Sequence, residues 1–152
     1  MKKVWIYQAD RFFTSAECEQ AKAYLEDFVM SWAAHGTALS AKVEILRNLF
    51  IVFTVDEAIT KTTGCSIDRS VHVLKELEER LDIGLFNRTF VAYIDREDRT
   101  QLVSREVFQG LVDSSEVTSE TRVFNNLVQT EEDFKSKWIV PFQTSWHAKV
   151  FG

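Results

Sequence analysis

Leu49–Val55 reads LFIVFTV, an almost wholly apolar run of residues that favour β-strands. A run without alternation between polar and apolar positions is typical of a strand with both faces buried, so we expect a central strand here. Just before it, Val43 and Ile45 alternate with Lys42 and Glu44, which predicts an edge strand with one face in water. The two strands are expected to pair as a hairpin through the short polar turn between them.

Two further strands and two helices flank this hairpin. Val4–Tyr7 is apolar on both faces and predicts a second central strand, and Phe90–Ile94 predicts a fourth strand. A first helix begins after Thr14, because Glu17 stands three residues further on, in the spacing of a capping box. A second helix spans Ser66–Leu81, where apolar residues recur at helical spacing.

The order of these elements is that of the ferredoxin-like βαββαβ arrangement. We therefore predict an α+β fold with a mainly antiparallel sheet and helices on one face. With 152 residues the chain fits a single domain over 1–152, with the core in 1–95 and a C-terminal extension in 96–152. The extension is rich in aromatic residues, which predicts that it packs on the core, over the open face of the sheet, or alternatively forms a subunit contact: Phe134, Trp138, Phe142, Trp146 and Phe151.

Composition and charge argue against several classes of function. The formal net charge is −5 and the pI about 5.2, and no basic cluster extends beyond Lys2 and Lys3, so nucleic-acid binding is not expected. No apolar run reaches the roughly 18 residues that span a bilayer, so membrane insertion is not expected either. Cys18 and Cys65 carry no mark of secretion, which predicts reduced thiols in a cytoplasmic protein. No glycine motif for phosphates or dinucleotides is present, and we expect no cofactor.

Gly64–His72 (GCSIDRSVH) holds the one set of residues that suggests chemistry. Cys65 lies at the predicted start of the second helix, where free N–H groups and the positive end of the helix dipole stabilise a thiolate. Asp68 and His72 are four residues apart and share a helix face with Cys65. A Cys–His–Asp set on this face is a candidate catalytic site.

Carboxylates form a second candidate site. In a ferredoxin-like sheet the third and fourth strands end at the same edge, so Asp56, Glu57 and Asp95 are expected on the same side as Cys65, with Ser66 as a further ligand-binding group. Carboxylates there can serve a general base or bind a metal, although they oppose formation of a thiolate. No Cys/His spacing fits a zinc site, and we predict no resident metal.

A structural role is the simpler interpretation of the second helix start. Ser66 then caps the helix, Asp68 complements its dipole, His72 is solvated and Cys65 is a small residue packed at a turn. Helix starts with such residues are common, so we give this interpretation more weight than the catalytic one.

The other cysteine and histidines also have structural interpretations. Cys18 falls on the apolar face of the first helix, which predicts a core position. His35 precedes Gly36, where the first helix is expected to have ended, and complements the helix dipole. His147 follows the aromatic Trp146 in a polar stretch, and such a histidine is more often exposed than catalytic.

Four stretches stand out together: Trp5–Arg11 (WIYQADR), Gly64–Ser70 (GCSIDRS), Val123–Leu127 (VFNNL) and Ser145–His147 (SWH). On these the chain resembles, over nearly its whole length, an uncharacterised family of bacterial cytosolic proteins, some of which are labelled ABC transporter ATPase. The resemblance implies a small cytosolic protein and no particular reaction. The label has no support here, because the chain lacks the phosphate loop, the Walker B strand and the LSGGQ-type signature of such an ATPase.

The sequence thus favours a non-catalytic cytosolic binding or interaction protein that works through its sheet face or strand edge and forms a homodimer. The reason is a surplus of aromatic surface without a catalytic signature. The alternative is a thiol-dependent enzyme or redox sensor that uses Cys65 with His72 and Asp68. A third class, metal-assisted hydrolysis, needs the three carboxylates named above in one coordination sphere.

Overall fold

The computed structural model describes residues 1–34 and 36–152, and the expectation for His35 lies outside these described residues. The strands are β1 (Lys2–Gln8), β2 (Ala33–Ala34), β3 (Thr37–Ala38), β4 (Ser40–Leu46), β5 (Phe50–Asp56), β6 (Phe90–Ile94), β7 (Thr100–Ser104), β8 (Arg122–Phe124) and β9 (Ile139–Pro141). The helices are α1 (Ser15–Ser31), α2 (Gly64–Leu81), α3 (Arg105–Asp113), α4 (Glu131–Lys137) and α5 (Trp146–Phe151), with a 3-10 turn over Phe142–Thr144. These elements confirm the predicted α+β class.

The chain divides into two compact units. The first comprises Met1–Phe86 with Gln129–Glu132, and the second comprises Asn87–Val128 with Asp133–Gly152. The single domain expected over 1–152, with an extension packed on a core, stays a prediction. Of the described helices, none combines the length and the apolar composition needed to cross a bilayer.

The first unit is built on β5, the middle strand of a three-stranded antiparallel sheet in the order β1-β5-β4. Phe50–Val55 is buried on both faces, as the unbroken apolar run predicts. β4 is an edge strand, also as predicted. It is joined to β5 by a turn in which Arg47 and Asn48 adopt the left-handed region, with φ of 56° and 54°.

Both long helices begin at capping boxes. In α1 the Thr14 hydroxyl accepts the Glu17 N–H and the Glu17 carboxylate accepts the Thr14 N–H, as the spacing predicts. In α2 the corresponding pair is Thr63 and Ser66, so this helix begins two residues before the predicted start. α1 ends before the β2–β3 hairpin, whose turn contains Gly36 with a φ of 74°.

The helices pack on the face of the sheet that carries Phe53. The centroid of the Phe53 ring lies 6.1 Å from that of Phe28 and 5.7 Å from that of Trp32. Trp5 stands edge-on to Trp32 at 6.5 Å, so it belongs to the same face. The Trp32 Nε1 donates to the carbonyl of Ser66 at 2.8 Å, which ties the end of α1 to the first turn of α2.

Two details of the ferredoxin-like topology are not confirmed. β1 is an edge strand and not a central one; its outer side carries a bridge from Lys3 to Thr130 and a hydrogen bond from the Val4 N–H to the Gln129 carbonyl (3.0 Å). The predicted fourth strand, β6, forms in a different sheet, ordered β7-β6-β8-β9. β6 pairs with β7 across a short turn, and such a local hairpin costs less chain entropy than a distant pairing.

The second unit packs around Phe108, which lies on α3 and is fully buried. The centroid of its ring lies 5.8 Å from that of Tyr93, 6.1 Å from that of Phe142 and 5.0 Å from that of Phe151. Aromatic residues of the C-terminal stretch therefore form much of the core of this unit, as side chains of this size suit a core position.

We predict that Phe53→Ala lowers the free energy of unfolding by about 3–5 kcal/mol, because it leaves a cavity between the sheet and the Phe28 and Trp32 rings. Phe53 is 1% exposed. Met30→Ala is the control: its side chain is 83% exposed, so we expect a change of less than about 0.5 kcal/mol. Urea unfolding followed by tryptophan fluorescence measures both variants. Equal losses of stability would contradict the central place of Phe53.

Candidate functional site

The first turn of α2 buries Ser66, which the sequence nominates for ligand binding. Ser66 is 3% exposed; its hydroxyl donates to the Thr63 carbonyl at 2.9 Å and accepts the Thr63 N–H at 2.7 Å. Its carbonyl accepts from the Trp32 indole. The polar groups of Ser66 are thus engaged inside the protein, and its hydroxyl belongs to the cap of the helix.

Cys65, Asp68 and His72 are exposed along α2 but are not linked to one another. The His72 side chain is 74% exposed, and its Nε2 lies 3.1 Å from a carboxylate oxygen of Glu76, one turn further along the helix. Among the described residues, no hydrogen bond or ion pair joins His72 to Cys65 or Asp68. Glu76 also accepts from the Tyr24 hydroxyl, the main reason that the pKa of Glu76 is lowered. The imidazole is oriented by Glu76, and a catalytic role for the set stays a prediction.

Two carboxylates close the loop that precedes α2. Asp56 accepts the Ala58 N–H at 3.0 Å. The Glu57 side chain is only 6% exposed; it accepts the N–H and the hydroxyl of Thr62 at 2.7 and 2.8 Å, and the Lys3 Nζ lies at 3.3 Å. Burial alone would raise the pKa of Glu57, but the Thr62 hydrogen bonds and the Lys3 ammonium outweigh it, so that pKa is lowered. Both carboxylates shape the loop.

Asp95 organises the turn between β6 and β7. Its carboxylate accepts the N–H groups of Glu97 and Arg99, each at 2.9 Å, and the side-chain amide of Gln101 at 2.8 Å. These bonds, that from Arg99 first, lower the pKa of Asp95. Asp95 belongs to the second unit and Asp56 to the first. Across residues 1–34 and 36–152, no three Asp, Glu, His or Cys side chains form a group that could hold a metal ion.

A cleft of about 390 Å³ opens in the second unit beside Asp95. Its lining combines an aromatic ring, acidic and basic side chains and two threonines: Tyr93, Ile94, Asp95, Arg96, Glu116, Thr118, Glu120, Thr121 and Arg122. Burial, together with the negative charges of Asp95 and Glu116, raises the pKa of Tyr93. The Tyr93 hydroxyl is therefore a protonated donor at neutral pH.

Sequence reasoning missed this cleft. The only signal is the polar stretch 113–121, which supplies part of the lining but reads as an ordinary connection. The other part comes from the end of β6, and the two meet because Tyr93 pairs with Val123 and Ile94 with Arg122 between β6 and β8. That pairing joins residues that are distant along the chain, so no local pattern reveals it.

His147 is buried, whereas the sequence predicts an exposed histidine. It is 3% exposed, its ring stacks on Trp146 with centroids 3.7 Å apart, and its centroid lies 6.1 Å from that of Phe108. Within the described part of the chain its Nδ1 has no hydrogen-bond partner. Burial, with the Arg105 charge nearby, lowers the pKa of His147 to about 4, so the imidazole is neutral at neutral pH.

Asp10 and Arg11 tie together the ends of β1, α1 and α2. Arg11 donates to both carboxylate oxygens of Glu17 at 2.8 Å each and to the carbonyl of Leu81 at 2.7 Å. The Arg11 hydrogen bonds are the main reason that the pKa of Glu17 is lowered to about 2. Asp10 accepts the Gly84 N–H at 2.8 Å. This network is structural, because its charged groups satisfy one another and the backbone.

We predict that iodoacetamide modifies Cys65 faster than Cys18 in the native protein. Cys65 is exposed, whereas Cys18 is half-buried and donates to the Asn48 Oδ1 at 3.3 Å. Burial and the Glu17 charge raise the pKa of Cys18, and the thiolate is the form that reacts. Mass spectrometry of a labelling time course measures both rates, and the urea-unfolded protein, in which both thiols are accessible, is the control. Faster labelling of Cys18 would contradict this.

We predict that stability falls as the pH drops from about 6.5 to about 4 and that His147→Gln removes part of this loss. The pKa of His147 is about 4 in the folded chain against an ordinary value of 6.5. The unfolded state therefore binds the proton first, and the stability present above the unfolded pKa is lost toward the folded one. The loss is on the order of 3 kcal/mol. Urea unfolding across this pH range measures it; equal losses in parent and variant would rule out His147 as the cause.

Comparisons of the chain with models of protein families, with curated proteins and with solved structures each found no match. The resemblance carried by Trp5–Arg11, Gly64–Ser70 and the two later stretches stays a prediction.

Proposed function

We propose that the chain is a non-catalytic cytosolic binding protein that takes a small charged ligand in the cleft of the second unit and forms a homodimer. The observation that carries the proposal is the cleft itself, in which the Tyr93 ring and side chains of both charge signs line one concave surface. Its volume of about 390 Å³ falls within the range of small-molecule sites. Both cysteines are free thiols, in keeping with the cytosol.

The cleft combines a fixed carboxylate with an adaptable rim, which consists of the exposed lining residues Arg96, Glu116 and Glu120. The carboxylate of Asp95 is held by hydrogen bonds from the turn that it organises. On the rim, Arg96, Glu116 and Glu120 are exposed, and in the described part of the chain their side chains form no hydrogen bond or ion pair. Side chains without a partner can turn toward a ligand without breaking a contact.

The charges of the rim favour a zwitterionic ligand such as a free amino acid. The Arg96 guanidinium suits a carboxylate, which it can bind through two parallel hydrogen bonds. The Glu116 and Glu120 carboxylates suit an ammonium group, and the Tyr93 hydroxyl adds a donor. A simple anion would meet the two carboxylates, and a simple cation would meet the guanidinium, so neither matches the whole rim.

Thiol chemistry at Cys65, with His72 and Asp68 as its predicted partners, is the second candidate function. The observation in its favour is that Cys65 is exposed in the first turn of an 18-residue helix. Against it stands the contact of His72 with Glu76. Ser66 and Glu57 already serve the helix start and the loop, so neither is free to assist chemistry at Cys65.

We predict that free glutamate or free arginine shifts the backbone amide resonances of residues 93–96 and 116–122 more than inorganic phosphate does at equal concentration. Heteronuclear NMR of the labelled full chain measures the shifts. The reason is that both amino acids carry an ammonium and a carboxylate, which match the rim, whereas phosphate carries only negative charge. Shifts that are equal for all three probes, or that spread evenly over both units, would contradict a selective cleft.

Arg96→Gln and Arg99→Gln form a matched pair for this experiment. Both arginines are exposed and stand on the turn between β6 and β7, but only Arg96 lines the cleft, while Arg99 pairs with Glu97. We expect Arg96→Gln to raise the amino-acid concentration that gives half of the maximal shift about tenfold. We expect Arg99→Gln to leave that concentration unchanged. The same titration curve in both variants would exclude the cleft as the binding site.

A further inference from the structure

The outer side of β4 carries backbone groups without a partner in the sheet. The Val4 N–H points away from β5, toward Gln129, so Val4 and Thr54 form a pair that exchanges no hydrogen bonds. The N–H and C=O groups of Thr54 therefore point to the strand on its other side and pair with Lys42 of β4. Because the direction alternates along a strand, the N–H and C=O groups of Val43 point outward from β4.

Ala41 and Ile45 share the orientation of Val43. In residues 1–34 and 36–152, no hydrogen bond engages the outward backbone groups of these three residues. The opposite edge of the sheet differs, because Gln129–Thr130 contacts the outer side of β1. β4 thus offers a row of donors and acceptors that a strand of another chain can pair with.

The charges on β4 complement a second copy of the same strand. Lys42 and Glu44 lie on one face of the strand, and Val43 between them lies on the other. When two copies run antiparallel about a twofold axis at Val43, Lys42 of each copy stands opposite Glu44 of the other. These pairs exchange no hydrogen bonds, so their side chains come closest, and opposite charges there are stabilising.

The same two charges disfavour the neighbouring registers. The outward backbone groups match only when the twofold axis passes through a residue of β4. An axis at Lys42 would place Lys42 opposite its own copy, and an axis at Glu44 would place Glu44 opposite its own copy; like charges directly opposite are destabilising. A lysine on an edge strand ordinarily blocks pairing. Here the spacing of lysine and glutamate disfavours the two adjacent registers. An axis at Ala41 or Ile45 would leave neither Lys42 nor Glu44 opposite a charge of the other sign, so only the register centred on Val43 gains both opposite-charge pairs.

We propose that β4 pairs antiparallel with β4 of a second copy, centred on Val43, and joins the two three-stranded sheets into one. The inference rests on the proposed homodimer and names its surface. The twofold axis is perpendicular to the sheet, so the helices of both copies lie on the same face. The partner is defined by its chemistry: a strand with a cation and an anion two residues apart.

The test is a charge reversal with rescue, read by sedimentation equilibrium of the full chain over a concentration series. Lys42→Glu and Glu44→Lys each place like charges in both symmetry-related pairs, so we expect each to raise the dimer Kd roughly tenfold. The double variant restores opposite charges and is expected to return to the Kd of the parent. An equimolar mixture of the two single variants is expected to form a heterodimer, because all its pairs are of opposite charge.

Lys61→Glu is the matched control, since it makes the same change of charge at an exposed residue of the first unit outside β4. We expect it to keep the Kd of the parent. Hydrogen exchange of the parent supplies a readout that needs no variant: the Val43 amide is expected to exchange more slowly as the concentration rises. Circular dichroism checks that each variant is folded.

The possible failures are distinguishable. A parent that stays monomeric at every concentration would overturn both this surface and the proposed homodimer, while binding at the cleft is judged by its own titration. A dimer whose Kd is the same in the parent and both single variants, without concentration-dependent protection at Val43, would overturn this surface and leave the homodimer standing.

Discussion

The first unit depends on the packing of the Phe53 ring against Phe28 and Trp32. β5 can hold Phe53 in the core because it pairs on both sides and is buried on both faces. Trp32 then fixes the start of α2, because its indole N–H donates a hydrogen bond to the carbonyl of Ser66. In this first turn Ser66 is buried, and the preceding residue, Cys65, is exposed. Aromatic packing thus holds the turn on which the more exposed of the two cysteines stands.

The carboxylates that chemistry would single out serve the backbone instead. Glu57 accepts from Thr62, and Asp95 accepts from the turn that follows it. Each bond satisfies an N–H that the loop would otherwise leave to water, and each lowers the pKa of the carboxyl. Breaking such a hydrogen bond would disrupt the conformation of the loop that the carboxylate holds. Side chains free to meet a ligand are found on the rim of the cleft, at Arg96 and Glu116.

The functional proposals concern two surfaces, each within one unit, that would bind their partners through different interactions. At the cleft, charges of both signs line the same surface as Tyr93, and the proposed selectivity comes from matching both signs at once. At the edge of β4, the backbone supplies the attraction and the charges supply the register. Lys42 and Glu44 are adjacent on one face, and their spacing favours the antiparallel self-pairing in which each stands opposite the other. A single charge on an edge strand ordinarily opposes pairing with another strand. Two opposite charges on the same face instead favour one register of that pairing.

The sequence by itself determined the local elements. The apolar run over Leu49–Val55 predicted a buried central strand, and Thr14 with Glu17 predicted the start of α1, because burial pattern and capping are encoded within a few residues. Only the tertiary structure decided which sheet Phe90–Ile94 joins, that β1 lies at an edge, and that His147 is buried. Strand pairing and burial depend on which distant segments meet. The entropy lost in bringing such segments together, and the free energy gained from their contacts, cannot be inferred from any one stretch of the chain. The cleft belongs to the same class, since its two walls come together only through the pairing of β6 with β8.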